Sequence, residues 1–308
     1  MEKAKWTHQF YKTYKIFRRS IVHFLDNNPV NLAGTTAYFA IFSIAPILVI
    51  IIAVFGLFTG NDTMKAKLFD ELNILVGPQS THFLQNVIQN YQITQNSGIG
   101  AVIGIAFFLI SATTLFSTMQ NSINYIWRVQ VKPNLKQNIL KLGKDRLFSF
   151  GIILCLGFVM LISLIVDASI TFLKDFLTTY FSPNFVILAQ IANIGLSLAI
   201  ITTVFTLIYR FLPDVNVHWS AAWFGGISTA ILFVIGKFII GMIVGNSSMG
   251  AIYGAASSFI VILVWIYFVS LIFYFGVELT HQYSLYHDHE NKPVHFATHF
   301  EISTLEKN

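Results

Sequence analysis

The run from Tyr38 to Phe58, YFAIFSIAPILVIIIAVFGLF, contains no Asp, Glu, Lys or Arg, and the charge-free stretch around it reaches from Asp26 to Asp62. About 20 residues of helix, with every backbone hydrogen bond made internally, are what it takes to cross about 30 Å of hydrocarbon. The whole chain of 308 residues follows the same pattern. Hydrophobic residues make up 55% of it and charged residues 11%, too few charges to coat a soluble globule, where about 25% is usual. Composition therefore excludes a soluble enzyme, a disordered chain and a secreted disulfide scaffold. It predicts an all-α integral membrane protein. The single cysteine, Cys155, lies within an apolar run and rules out an intramolecular disulfide.

Comparable runs recur along the chain, and six spans are expected, over about 38–58, 98–119, 147–166, 185–209, 219–244 and 252–277. Lys and Arg set their orientation. Lys3, Lys5, Lys12, Lys15, Arg18 and Arg19 precede span one, and Arg128, Lys132, Lys136, Lys141, Lys144 and Arg146 follow span two. Arg210, Lys292 and Lys307 fall on the same side, against Lys65, Lys67 and Lys174 on the other. Both termini are expected in the cytoplasm, which divides the chain into a basic segment 1–30, a membrane domain 31–280 and a His-rich tail 281–308. No cleavable signal peptide is expected, because the first apolar run far exceeds a signal core. The net charge of +5 is read as membrane topology, and no nucleic-acid partner is expected.

Two flanking segments are amphipathic. Trp6, Phe10, Tyr14, Phe17, Ile21 and Phe24 fall on one helical face, with His8, Lys12, Lys15 and Arg19 on another. Such a helix lies at the headgroups and is held by anionic lipid; the alternative is a helix packed on the ends of the spans. Residues 62–97 read as two short outer helices separated at Gly77-Pro78, forming either a lid or a simple cover.

Polar groups inside the spans are the candidate functional residues. Thr113, Ser117, Gln120 and Asn124 follow helical spacing in span two, and Gln190, Asn193 and Ser197 do so in span four. In hydrocarbon such groups face other helices or a watered cavity. Thr113, Ser117, Asn193 and Ser197 are the candidate polar pathway, with interhelical adhesion as the competing account. Ionisable groups at membrane depth are expensive and mark function. Lys237 lies in span five toward its outer end, Glu278 closes span six, and Arg210 and Asp214 flank Pro213 as a local ion pair, with Glu278 also placed to neutralise Arg210. These four are candidate gate or coupling residues. Pro46 is expected to kink or break span one, and Gly241, Gly245 and Gly254 are candidate hinges or close-packing points.

No His-Glu-x-x-His and no phosphate-binding Gly-x-x-x-x-Gly-Lys-Ser/Thr occurs in the sequence, so neither a zinc protease nor an ATPase is expected. Five of the nine histidines, His281, His287, His289, His295 and His299, cluster near the C-terminus. A weakly structured, solvated tail is expected there. No catalytic residue, metal or cofactor is assigned.

Three stretches carry a family resemblance. Residues 31–46, NLAGTTAYFAIFSIAP, the stretch Tyr209-Arg210-Phe211-Leu212-Pro213-Asp214 followed by Trp219 and Gly225, and Tyr253-Gly254-Ala255-Ala256-Ser257-Ser258 leading to Phe275-Gly276-Val277-Glu278-Leu279 resemble the YihY/virulence factor BrkB family. Val277 stands where that family usually has Ala. The resemblance implies a six-helix protein of the bacterial cytoplasmic membrane. It also implies that an older ribonuclease BN label is a misassignment, and that serum resistance or envelope lipid export is the neighbourhood of function. The expected activity is movement of a lipid or other envelope amphiphile without an ATPase, and membrane lipids are the expected partners. A non-transporting scaffold for envelope synthesis is the alternative, and small residues on spans five and six allow a homo-oligomer.

Overall fold

The computed structural model describes residues 2–95, 98–132, 184–245 and 253–301, with single positions 143, 151 and 158. The expected third span, 147–166, thus lies almost wholly outside the described residues. Eight α-helices are described: α1 (Glu2–Asp26), α2 (Pro29–Thr59), α3 (Asn61–Val76), α4 (Pro78–Gln95), α5 (Gly98–Ile126), α6 (Asn184–Phe211), α7 (Trp219–Gly245) and α8 (Ser257–Tyr286). Two three-residue strands, β1 (Val129–Val131) and β2 (Ala297–His299), complete the described elements together with a 3-10 turn at Gly254–Ala256. The protein is all-α apart from that one small ribbon. Pro29–Thr59, Trp219–Ile243 and Ser257–Tyr286 are long and apolar enough to cross a membrane, and Ser197–Phe211 is a shorter apolar stretch of α6.

The boundaries follow from local chemistry. α1 stops at Asp26 because Asn28 turns left-handed at φ 52°, a conformation Asn tolerates, and Pro29 then starts α2 with its ring already set for the first helical turn. α2 begins well before its apolar centre and continues unbroken through Pro46. The expected break is absent: Pro46 is buried, and one turn earlier the Ser43 hydroxyl bonds both Phe39 O (3.0 Å) and Ser111 O of α5 (2.8 Å). A contact with the neighbouring helix thus lies one turn before the proline.

The ends of α1, α5, α6 and α8 and the starts of α2 and α7 meet at one end of the bundle. A core of Ala33, Ile123, Trp127, Tyr209, Leu212, Val217, Ala222, Phe273 and Val277 fills the space between them. At the opposite end Leu48, Ile51, Ile52 and Phe55 of α2 pack with Met64 and Leu68 of α3, Ile88 of α4 and Phe116 of α5. The two outer helices are therefore a packed cover, tied to α8 by the Ser80 hydroxyl on Ser258 O (3.5 Å).

Glycine sets the spacing of α6, α7 and α8, though at other positions than expected. Gly241 has no atom within 4 Å of where a Cβ would stand, and Gly254 is required by its backbone, at φ 54°, rather than by packing. The close approach is at Gly225 and Gly276. Thr229 bonds Gly225 O while its hydroxyl fills the space above Gly276; Thr280 bonds Gly276 O and fills the space above Gly225. Gly226 faces the Thr206 hydroxyl of α6, which, unlike those of Thr229 and Thr280, is buried with no hydrogen-bond partner among the described residues. The Tyr209 hydroxyl, fully buried, lies 2.9 Å from both the Thr229 hydroxyl and Phe273 O and joins the three helices. Small residues let backbones approach, and threonine satisfies its hydroxyl on its own helix.

The C-terminal segment corrects the expectation of a loose tail. Residues 281–286 continue α8, and the chain beyond folds back as a clip. β2 pairs antiparallel with β1, Val129 opposite His299, and Val215 bridges Pro293. Phe296 and Ala297 are buried in the bundle-end core, which gives this histidine-rich stretch an apolar anchor.

Replacing Gly276 by Val should lower the thermal midpoint strongly, at a cost of about 1–3 kcal/mol or more for overpacking. Gly241→Ala should leave it near wild type. Unfolding in detergent, with size-exclusion to confirm monodispersity, checks both.

A candidate polar site at the end of the bundle

Among the described residues two carboxylates at this end have no exposure, Asp214 and Glu278. Asp214 sits in the α6–α7 connection. Gln120 Nε2 donates to its Oδ1 (3.2 Å) and to Leu212 O (3.1 Å), and Asn124 Nδ2 donates to its Oδ2 (2.8 Å). Its own backbone N–H donates to Asn124 Oδ1 (2.8 Å), and its carbonyl accepts from Val294 N of the clip (3.1 Å). The lower members of the α5 polar stripe thus act between segments, as adhesion. Thr113 and Ser117 of the same stripe are half-buried and Ser197 is exposed, while Asn193 lies in α6 with its side chain outside the described residues.

Glu278, in the last third of α8, is held from two sides. Gln282 Nε2, one turn on, donates to Oε1 (2.9 Å), and Asn27 Nδ2, in the α1–α2 turn, donates to Oε2 (3.0 Å). His281 Nδ1 lies 4.0 Å from Oε1, with its ring against Trp127. Arg210 is elsewhere: its guanidinium lies over the rings of Trp219 (5.6 Å) and Phe211 (5.8 Å). The expected Arg210–Asp214 and Arg210–Glu278 partnerships are thus replaced by amide donors, because Trp219 draws the guanidinium to the rim while Gln120 and Asn124 supply Asp214 from inside. Lys237 is half-buried on α7, 18 residues from the start of that helix and so about 27 Å from this end.

The histidines take an unexpected place. Phe224, Tyr283, His287, His289 and His218 form a stacked column, with centroid spacings of 4.6, 4.2, 5.9 and 4.2 Å. Ser220 Oγ lies 2.8 Å from His218 Nδ1 and 3.2 Å from His289 Nε2, so the clip is fastened to the start of α7. Among the described residues no group of three or more His, Cys, Asp or Glu is arranged to hold a metal. Burial, with His218 and His287 beside it, pushes the His289 imidazole below its ordinary range.

α1 shows two faces. Ile16, Ser20, Phe24 and Asn27 point into the bundle, and Phe17 and Phe24 contact Phe275 of α8 edge-on, each at 5.3 Å. Tyr14, Ile21 and Leu25 stay exposed, bordered by exposed Lys15, Arg18 and Arg19. Of the two alternatives for this helix, packing against the spans holds for one face, and an apolar, basic-rimmed face remains outward.

Apolar helices of membrane-spanning length around buried, amide-bound carboxylates define a polytopic α-helical membrane protein. The family model described as Virulence factor BrkB matches residues 20–297. The chain belongs to that family. It is 31% identical to a UPF0761 membrane protein of Psychromonas ingrahamii over 91% of this chain and 89% of the relative, and 25% identical to one of Vibrio atlanticus over 86% and 81%. A Psychrobacter UPF0761 membrane protein is 26% identical over 92% of this chain, which spans only 51% of that relative's length. No solved structure matches.

A histidine whose folded pKa is depressed binds its proton more tightly when the segment is released. The clip is therefore at full stability above the ordinary imidazole pKa of about 6.5 and loses stability as pH falls toward the lower folded value. Hydrogen exchange of amides 287–300, corrected for intrinsic rate, should show weaker protection in mild acid. His289→Phe, which keeps a stacked ring, should reduce that acid sensitivity.

Proposed function

We propose that this protein moves a lipid or other envelope amphiphile across the bacterial cytoplasmic membrane, without an ATPase of its own, using Glu278 as its coupling residue. The observation that carries this reading is a fully buried carboxylate in a membrane-spanning helix, enclosed by amide donors from two elements. A carboxylate at membrane depth costs free energy, and such residues mark ion, proton or substrate paths. Asp214 is the second such group, bound to the connection that joins α6 and α7. Thr113 and Ser117, half-buried on α5, give substrate a polar surface, and Asn193 and Ser197 of α6 remain the further candidates for such a surface.

Six crossings with both termini cytoplasmic accord with the described ends. α5 and α6 both finish at the polar end. The polar end also carries Arg128, Lys132, Arg210 and Lys292, the sign expected of a cytoplasmic face. Here the outward face of α1 meets anionic headgroups, its apolar residues entering the acyl boundary and Lys15, Arg18 and Arg19 pairing with phosphates.

Reconstituted vesicles containing a quenchable headgroup-labelled lipid test the reading. Wild-type protein should expose inner-leaflet label to the quencher, and Glu278→Gln, folded and inserted, should not. Equal movement by both would remove Glu278 from the mechanism. No movement by either would favour the scaffold.

A further inference from the structure

Three residues far apart in sequence meet around one amide. Arg128 Nη2 donates to Asn27 Oδ1 (2.8 Å), and Asn27 Nδ2 donates to Glu278 Oε2 (3.0 Å). Asn27 is 3% exposed and Glu278 0%. A side-chain amide carries an acceptor and a donor on one planar group, so it can face a guanidinium and a carboxylate at once. An aspartate would set two anions together, and an aliphatic residue would leave Arg128 Nη2 without this acceptor and Glu278 Oε2 without this donor. Asn27 is thus interposed between a cation and an anion that would otherwise pair.

The second observation is on Arg128 itself. Its Nη1 is buried with no hydrogen-bond partner, an unsatisfied charged donor, and its backbone stands at φ 55°, rare for a side chain of this size. The C-terminal clip holds that conformation: Phe300 N donates to Arg128 O (3.0 Å), and His299 Nδ1 lies 3.3 Å from the same oxygen. Tyr125 faces the guanidinium at 5.0 Å. Arg128 and Asp26 are the charged groups that act on Glu278 among the described residues, with His281 beside it, and Arg210 is not among them.

We infer that Arg128, acting through the Asn27 amide, is the counter-charge of Glu278, and that this three-residue bridge holds the polar end of the bundle shut. Asn27 is the positioning residue. Its place in the two-residue turn between α1 and α2 means that any shift of α1 withdraws the amide and alters what Glu278 faces. The inference rests on the coupling role of Glu278 for its link to transport, but the pairing itself is testable without transport.

The test is a thermal cycle on the full chain in lipid nanodiscs. Glu278→Gln and Arg128→Gln should each lower the unfolding midpoint, because each leaves the opposite charge buried and unmatched. The double variant should recover most of the loss. Asn27→Leu should be damaging in wild type and tolerated in the doubly neutral protein. Arg210→Gln combined with Glu278→Gln should show no recovery. A single variant that fails to fold beside a double that folds is the same result in stronger form. Additive losses, a double variant that does not fold, or rescue by Arg210→Gln would overturn the inference. In the vesicle assay the rescued double variant should move no lipid, and full movement would overturn the gating role. Inactive wild type would sink the transport reading and leave the thermal cycle to decide the bridge.

Discussion

A carboxylate removed from water must be given donors or lose its charge, and the polar end of this bundle contains two of them. Each gathers its donors from elements that are distant in sequence, so the requirement fixes more than the carboxylates. Asp214 draws in Gln120 and Asn124 of α5 and, through its carbonyl, Val294 of the clip. Glu278 draws in the α1–α2 turn through Asn27. Removing one partner of a buried charge costs several kcal/mol, which makes these arrangements close to all-or-none. The apolar bundle supplies the bulk of the packing, and the two acids decide which ends of which helices must coincide.

The opposite constraint operates along α6, α7 and α8. There the difficulty is distance: two helices approach closely where one presents a glycine to the other. The Gly225/Thr229 and Gly276/Thr280 pairs answer it reciprocally, each threonine occupying the room the other helix's glycine provides. Lipid offers no hydrophobic drive for helices to associate, so close contact of this kind carries cohesion that water supplies in a soluble bundle. The stretch nearest the polar end is therefore the tightest part of the α7–α8 contact, while Gly241, further along α7, has no packing neighbour.

Much of this was legible in the sequence, and the failures have physical reasons. Apolar runs without charge located α2, α7 and α8 because hydrocarbon forbids unpaired charge over a fixed thickness. Glu278 and Asp214 stood out for the same reason. Their partners did not, because Asn27, Gln120 and Asn124 are neutral amides whose role depends on which helix ends meet. Arg210 was the nearest formal cation to Asp214 along the chain, yet two flanking aromatic rings hold it. Arg128 looked like one more basic residue in a topology-setting cluster. The clip escaped notice because its strands are three residues long, too short for alternation to register, and its histidines mask the apolar anchor at Phe296 and Ala297. Glycine spacing drew attention to Gly241-x-x-x-Gly245, whereas the operative pattern is glycine followed four residues later by threonine on two helices.

The ribbon formed by β1 and β2 has a consequence for biosynthesis. Its first strand follows α5 and its second lies at 297–299, so the two halves leave the ribosome separated by most of the membrane domain. Until the later strand emerges, the segment at 129–131 lacks its strand partner and the α6–α7 connection lacks its clip. Every preceding helix can enter the bilayer before that moment. Closure then waits on the emergence of 297–299, and a product that stalls short of that strand would lack the clip.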